Sequence, residues 1–475
     1  MSDLQARLRA LPSVSRLLER PDVTAWLAAH SRPDVTGALR GALDAARGRV
    51  TAGEAAPEAD VVVADAARRL KCALRPGLHR VVNGTGVILH TGLGRAVLPQ
   101  AALDALVAHG SGYQLLAVDD ETNERGRRER FCESILRELT GCEAATIVNN
   151  NAAAVMLVLN TMAAGREVIV SRGQLVEIGG AFRMPEVMAR AGCRMVEVGC
   201  TNRTHLRDYR AAITPNTGAL IRVHPSNYRV QGFTNEVEIE ELVELGRAHG
   251  IPVIDDLGSG ALVRLGVTHD EPLVGDSLKA GADVVTCSAD KLIGGPQGGV
   301  ILGSQRWVSA CDDNQLARAL RVGKLDLIAL EATLRMFRDP AELVRDHPTA
   351  RMMTESKESV TARAEALAAS LRAEIPGIDV IVVDSPAYAG SGALPVREIP
   401  SAAVAIAPPT GVPAAEVARR LRTGDPSLFV RIADGRLLVD PRTLQPGEEA
   451  LVRTAVRNSG AVGAAVDVPT SDAGS

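Results

Sequence analysis

From about residue 80 to residue 340 the chain alternates short β-branched runs with stretches of helical spacing. Val168-Ile169-Val170, Met195-Val196-Glu197-Val198, Ala219-Leu220-Ile221-Arg222-Val223 and Pro252-Val253-Ile254 read as strands. Each is too short for a helix and rich in the branched side chains that pleated sheets accommodate. Glu236 to His249 is amphipathic at helical period and lies between two of them. Two more apolar runs, Ala282 to Cys287 and Val300-Ile301-Leu302, follow. Strand–helix alternation over this length predicts an α/β fold with a mainly parallel sheet and helices on both faces. Such sheets present their chemistry at the carboxyl ends of the strands.

The flanks differ from this middle. Residues 1–72 read as a small helical module, with Leu/Ala spacing over Gln5 to Leu18 and Val35 to Val50. Pro12, Pro21 and Pro33 punctuate it, and Thr51 to Asp60 reads as a loop. After the core, assigned to residues 73–340, a helical stretch from Met353 to Ala373 leads to strands at Asp379 to Val383, Leu428 to Arg431 and Arg436 to Val439. These predict an α+β C-terminal domain over 341–463. Residues 464–475, made of small and polar residues with two valines and one proline, predict a disordered tail.

Composition removes several classes of function. A chain of 475 residues that is 46% hydrophobic can bury the cores of two or three domains. It has no run near the roughly 20 apolar residues of a membrane span and no basic-plus-apolar leader. The seven cysteines are scattered and never spaced C-x-x-C, which points to a reducing, cytoplasmic setting rather than a disulfide framework or zinc site. A net charge of −4 gives no whole-chain signature for nucleic acid, so RNA contact requires a local patch. Arginine outnumbers lysine in the N-terminal module, which is a weak basic signal. Aromatic residues at 2% argue against base-stacking platforms.

The candidate chemistry centres on Ser288-Ala289-Asp290-Lys291-Leu292-Ile293-Gly294-Gly295-Pro296-Gln297-Gly298-Gly299. Strand, lysine, glycine-rich turn and strand is how a lysine amine is held on a rigid edge, shielded so that it deprotonates and attacks an aldehyde. That is the presentation pyridoxal phosphate (PLP) requires; the plainer reading is a turn lysine between strands. Ile254-Asp255-Asp256-Leu257-Gly258 places two acids at a strand end upstream. PLP needs one buried carboxylate against its ring nitrogen. Asp256, with Gly258 two positions on, fits better than Asp255, although two acids opening a loop is a common pattern. Thr146 to Val155 reads as strand, polar turn and helix, so Asn150 and Asn151 with the helix N-terminus suit the cofactor phosphate, or serve simply as an N-cap. Arg95 ends the glycine-punctuated segment Asn83 to Arg95, and Gln315 to Lys324 places Arg318 and Arg321 on one helical face. Converging guanidinium groups suit a tetrahedral oxyanion, whereas a solvated basic face is the bland alternative.

Several strings together resemble bacterial selenocysteine synthase, the L-seryl-tRNA(Sec) selenium transferase family. They are Asn83 to Arg95, Asn149 to Ala154, Ser171 to Gly180, Val223-His224-Pro225-Ser226-Asn227-Tyr228, Asp256 to Gly260 and Asp290 to Gln297. Tyr113 to Arg130 is similar but looser. The resemblance implies a fold-type-I PLP-dependent transferase, a homodecamer built as a pentamer of dimers, and an N-terminal domain that binds tRNA(Sec). It implies Lys291 as the cofactor lysine, Asp290 as the family's acid beside it, and Arg95, Arg318 and Arg321 as the cluster for the selenium donor. The implied reaction eliminates water from seryl-tRNA(Sec) to aminoacrylyl-tRNA, then adds selenium from selenophosphate. A lyase paralogue acting on a small amino acid or amino sugar is the nearest alternative, and such paralogues lack the N-terminal module. A tRNA-binding scaffold without chemistry is the other.

Overall fold

The computed structural model describes residues 3–74, 76–180, 182–268, 271–390 and 397–460; the tail predicted over 464–475 lies outside the described residues. The chain divides into two compact units at Arg80/Val81. Among the described residues no helix is long and apolar enough to cross a membrane.

The first unit is helical. Arg32–Thr51 (α1) packs on Ala59–Leu74 (α2), and three short helices precede them. Val35, Leu39, Leu43, Val62, Ala66 and Leu70 recur at helical spacing and are buried with Leu17 and Val23. The helical run expected over Gln5 to Leu18 is two helices, Asp3–Ala10 and Val14–Leu18. Pro12 cannot donate to a continuing ladder, and Ser13 starts the second helix by accepting the Arg16 N–H at 3.2 Å.

The second unit is built on a seven-stranded sheet. In chain order its strands are Ala144–Val148 (β1), Glu167–Ser171 (β2), Arg194–Val198 (β3), Thr217–Val223 (β4), Val253–Gly258 (β5), Val284–Ser288 (β6) and Gly299–Gly303 (β7). Their spatial order is β1-β7-β6-β5-β4-β2-β3. Only β7 runs against its neighbours. Alternation along each strand feeds two cores: Ile147, Leu220, Val253 and Val285 pack on one face, and Val148, Ile221, Ile254 and Val284 on the other. A sheet covered on both faces explains why the strands read as near-continuous apolar runs. The helix Asn151–Ala163 (α3) lies on the second face.

Beyond residue 340 the expected long helix over Met353 to Ala373 is divided into Pro348–Thr354 (α4) and Lys357–Glu374 (α5). Glu355 leaves the helical conformation, and the extended Ser356 caps the new helix by accepting the Ser359 N–H at 3.2 Å. Strands Val380–Asp384 (β8), Ala402–Ile406 (β9), Arg431–Ala433 (β10) and Arg436–Val439 (β11) form an antiparallel sheet in the order β8-β9-β11-β10. The strand expected over Leu428 to Arg431 serves two sheets instead. Leu428–Phe429 pairs in parallel with Val82–Asn83, and the chain then continues into β10. The segment from Val82 to Leu89 is thereby sewn to distant sequence. Gly84 N–H donates to Phe429 O at 2.9 Å, Leu89 N–H to Ala389 O at 2.8 Å, and Gly86 N–H to Thr443 Oγ1 at 3.1 Å.

Candidate active site

Lys291 sits on the turn that joins β6 to β7. Ala289 N–H donates to Gly298 O at 2.9 Å and closes the turn, while Leu292 N–H donates to Ser259 O at 3.1 Å and ties it to the segment after β5. The lysine is 4% exposed. Burial and the positive Arg95 guanidinium lower its pKa; Asp256, Asp290 and Glu271 oppose them. A lowered pKa favours the free amine, the form that acts as nucleophile and base, over the ammonium.

The two acids of β5 point to opposite faces, as a strand requires. Asp255 is 0% exposed and takes both Nε and Nη2 of Arg222, its register partner on β4, at 2.8 and 2.7 Å. Asp256 faces α3 and the lysine. Its Oδ1 accepts Asn151 Nδ2 and Thr286 Oγ1, each at 2.9 Å. Burial pushes its carboxyl upward, offset by those two hydrogen bonds and by Lys291. Both acids lie inside β5 rather than beyond its end, because the strand continues to Gly258 through a bulge at Leu257: Asp256 opposes Thr286 and Gly258 opposes Cys287. Gly258 has φ +65°, and a Cβ there would stand 3.8 Å from Lys291 Nζ. Only glycine takes this conformation without cost and leaves the approach open.

Asn150 caps α3, accepting the Ala153 N–H at 2.9 Å, an interaction of about 1 kcal/mol. Arg95 also has a left-handed backbone (φ 63°), which costs an arginine roughly 1–2 kcal/mol. The position is over-determined: Arg95 N–H donates to His90 O at 3.0 Å, and Nη1 reaches Asp290 Oδ2 at 2.7 Å. Asp290 thus orients the arginine.

Arg95, Asn150, Asn151, Asp256, Asp290 and Lys291 line one cavity of about 470 Å³. Arg318 and Arg321 do not; they line a second cavity of about 510 Å³ with Arg125, Arg127, Thr146 and Asp312. They also do not share a helical face. The helix ends at Ala319, and Arg321 bridges Val148 as extended chain, with Asn149 N–H donating to Leu320 O at 2.9 Å. Sequence reasoning passed over Thr286, a polar residue inside a buried strand, which was its available signal. It also gave no role to His224, whose backbone N–H donates to Asp256 O at 2.8 Å and whose Nε2 lies 3.5 Å from the buried Glu271 carboxylate.

The residues of the first cavity fit PLP. A buried carboxylate pushed upward calls for a protonated ring nitrogen opposite it. Asn151 Nδ2 is committed to Asp256, and the N-terminus of α3 offers backbone N–H groups to a phosphate.

A depressed lysine and a register-fixed acid on this sheet define a class, the PLP-dependent enzymes of fold type I. Within it, the chain belongs to the L-seryl-tRNA(Sec) selenium transferase family. The model described as L-seryl-tRNA selenium transferase matches residues 81–445, and the one described as selenocysteine synthase N terminal matches residues 8–47. The L-seryl-tRNA(Sec) selenium transferase of Solidesulfovibrio magneticus is 47% identical over 95% of this chain and 98% of its own. That of Moorella thermoacetica is 46% identical over 95% of this chain and 96% of its own. Among solved structures, D-glucosaminate-6-phosphate ammonia-lyase shares the fold, with a TM-score of 0.58 at 21% identity, covering 82% of this chain and 97% of that one.

Proposed function

We propose that this protein converts L-seryl-tRNA(Sec) to L-selenocysteyl-tRNA(Sec), with selenophosphate as the selenium donor. The observation that carries this reading is that both the Lys291 unit and the helical unit before it match the family. A lyase on a small amino acid or amino sugar uses the same fold but needs no such helical unit, which disfavours that alternative. The helical unit is the proposed tRNA-binding part, and the proposed setting is a cytoplasmic homodecamer, a pentamer of dimers.

Lys291, Asp256, Asn150 and Asn151 would hold PLP, Asp256 at the ring nitrogen and the asparagine turn at the phosphate. Bound PLP supplies an electron sink for the charge left at Cα when its proton departs. Lys291, whose pKa is lowered by burial and by Arg95, accepts that Cα proton at Nζ. The Cβ–O bond of the seryl group then breaks, and the hydroxyl leaves as water with one proton. Selenium forms the new bond to Cβ, a proton returns to Cα by way of Lys291 Nζ, and the bond from selenium to phosphorus is cleaved by water, releasing phosphate. The substrate's carboxyl is esterified to tRNA and needs no cationic clamp, so arginines are free for the donor. Arg95, oriented by Asp290, is the donor ligand inside the Lys291 cavity. Arg318 and Arg321 line the other cavity of the same chain, so their part in donor binding requires a second copy to bring them over Lys291.

The test is incubation of purified protein with seryl-tRNA(Sec) and selenophosphate, followed by analysis of the esterified amino acid. Selenocysteine on the tRNA is expected. Unchanged seryl-tRNA(Sec) alongside consumption of a free amino acid overturns the reading in favour of a lyase.

A further inference from the structure

The turn that carries Lys291 is braced from outside the cavity by His347, which is 0% exposed. Nε2 of His347 lies 2.9 Å from the carbonyl oxygen of Ile293, and Nδ1 accepts the Ala350 N–H at 3.2 Å. Those partners set the neutral tautomer, with the proton on Nε2 donated to Ile293. Phe337 meets the ring edge-on, with centroids 5.7 Å apart, and fixes its plane. Gly294 passes so close that a Cβ there would overlap the imidazole, and its own N–H donates to Lys291 O at 3.0 Å. The imidazole therefore packs directly on the backbone three residues beyond the lysine, with no intervening side chain to absorb a shift.

His347 is also the residue that opens α4, and the far end of that helix is anchored. Arg442 is 0% exposed, and its Nη1 donates to Met352 O at 2.9 Å and to Glu355 O at 2.7 Å. Its Nη2 donates to Pro400 O at 2.7 Å, beside β9. A buried guanidinium across the last carbonyls satisfies the groups a helix leaves open and fixes α4 to the C-terminal sheet. The helix forms a strut from that sheet to the lysine turn.

We infer that His347 is a positioning residue for Lys291, holding the Ile293–Gly294 backbone, and through it the amine, against a helix anchored on Arg442. The inference rests on the reading of Lys291 as the cofactor lysine. It is tested on the full chain loaded with PLP, comparing His347→Ala with His347→Gln, whose amide N–H can still reach the Ile293 carbonyl. Three quantities are read: the pH midpoint of the cofactor's visible band, the rate of PLP uptake by apoprotein, and kcat against KM for seryl-tRNA(Sec). In H347A the midpoint moves by about half a pH unit or more, uptake slows several-fold and kcat falls about tenfold with KM within twofold, the scale expected for a small misplacement of a reacting group. H347Q restores most of each. If H347A does not accumulate as folded protein, His347→Asn, whose amide is too short to reach, takes its place. A wild-type midpoint and uptake rate in H347A overturn the inference, whatever happens to melting temperature, as does H347Q matching the defect of H347A. Failure of the underlying reading looks different: the visible band then persists in Lys291→Ala.

Discussion

The Lys291 cavity and the Arg318–Arg321 cavity are lined by successive parts of one strand–turn–helix, Asn150 to Ala152 in the first and Thr146 to Val148 in the second, yet they are built in opposite ways. In the first, sheet register and backbone contacts place each key group, and Lys291, Asp256 and Asp290 are all buried. In the second, Arg127 is neutralised by Glu133 at 3.1 Å and Asp312 at 2.7 Å, while Arg318 and Arg321 are exposed and form no ion pair among the described residues. The first draws its lysine and its acids from one chain. The second presents two exposed guanidinium groups, which under the proposed function would keep cofactor chemistry and donor capture separately adjustable.

The contrast can be broken most decisively at Lys291. Lys291→Ala is expected to abolish the visible absorbance of the loaded protein and to lower selenium transfer by more than about 10³-fold. The two acids of β5 sharpen it next. Asp255→Ala strands a half-buried Arg222 and should cost roughly 3 kcal/mol of stability, measured by denaturant midpoint. Asp256→Ala should leave the chain folded but weaken PLP retention and slow transfer about a hundredfold. If the two phenotypes are exchanged, the faces have been assigned the wrong way round. Arg321→Ala probes the second cavity: the cofactor spectrum stays, and transfer slows by about tenfold to a hundredfold. Loss of the spectrum there contradicts the separation of roles.

The smallest effect is one of pH. Burial holds His347 down at about 4, against 6.5 for the ordinary group. Between those values the unfolded chain binds a proton that the folded chain refuses, so stability falls as pH drops from 6.5 toward 4. His347→Gln should flatten that slope, by about 1 kcal/mol at pH 5.5, in a comparison of denaturant midpoints across pH.

Much of the lysine site was legible because it is local. A lysine after an apolar run, two acids after another and asparagines before a helix each sit in a window shorter than ten residues, and strand alternation puts Asp255 and Asp256 on different faces. What could not be read was long-range. Nothing near Asp255 in sequence announces Arg222, which β4 delivers from more than thirty residues away. Helical spacing suggested one face for Arg318 and Arg321, but the pull of the Val148 bridge ends the helix first. The division of the helix over Met353 to Ala373 hangs on Ser356, a local cap that was visible and outweighed by the apolar periodicity around it.

Arg95 reaches Asp290 on a segment whose backbone partners are Tyr388, Phe429 and Thr443. A ribosome delivers the sheet, Asp256 and Lys291 long before it delivers those partners. During synthesis the nascent protein therefore passes through a stage in which the lysine turn and Asp290 are present but the segment leading to Arg95 lacks its C-terminal backbone partners. The framework behind that cavity is completed only when nearly the whole polypeptide has emerged, and a chain cut short before Thr443 lacks the side chain that receives the Gly86 N–H, although His90 and Asp290, the direct partners of Arg95, are present.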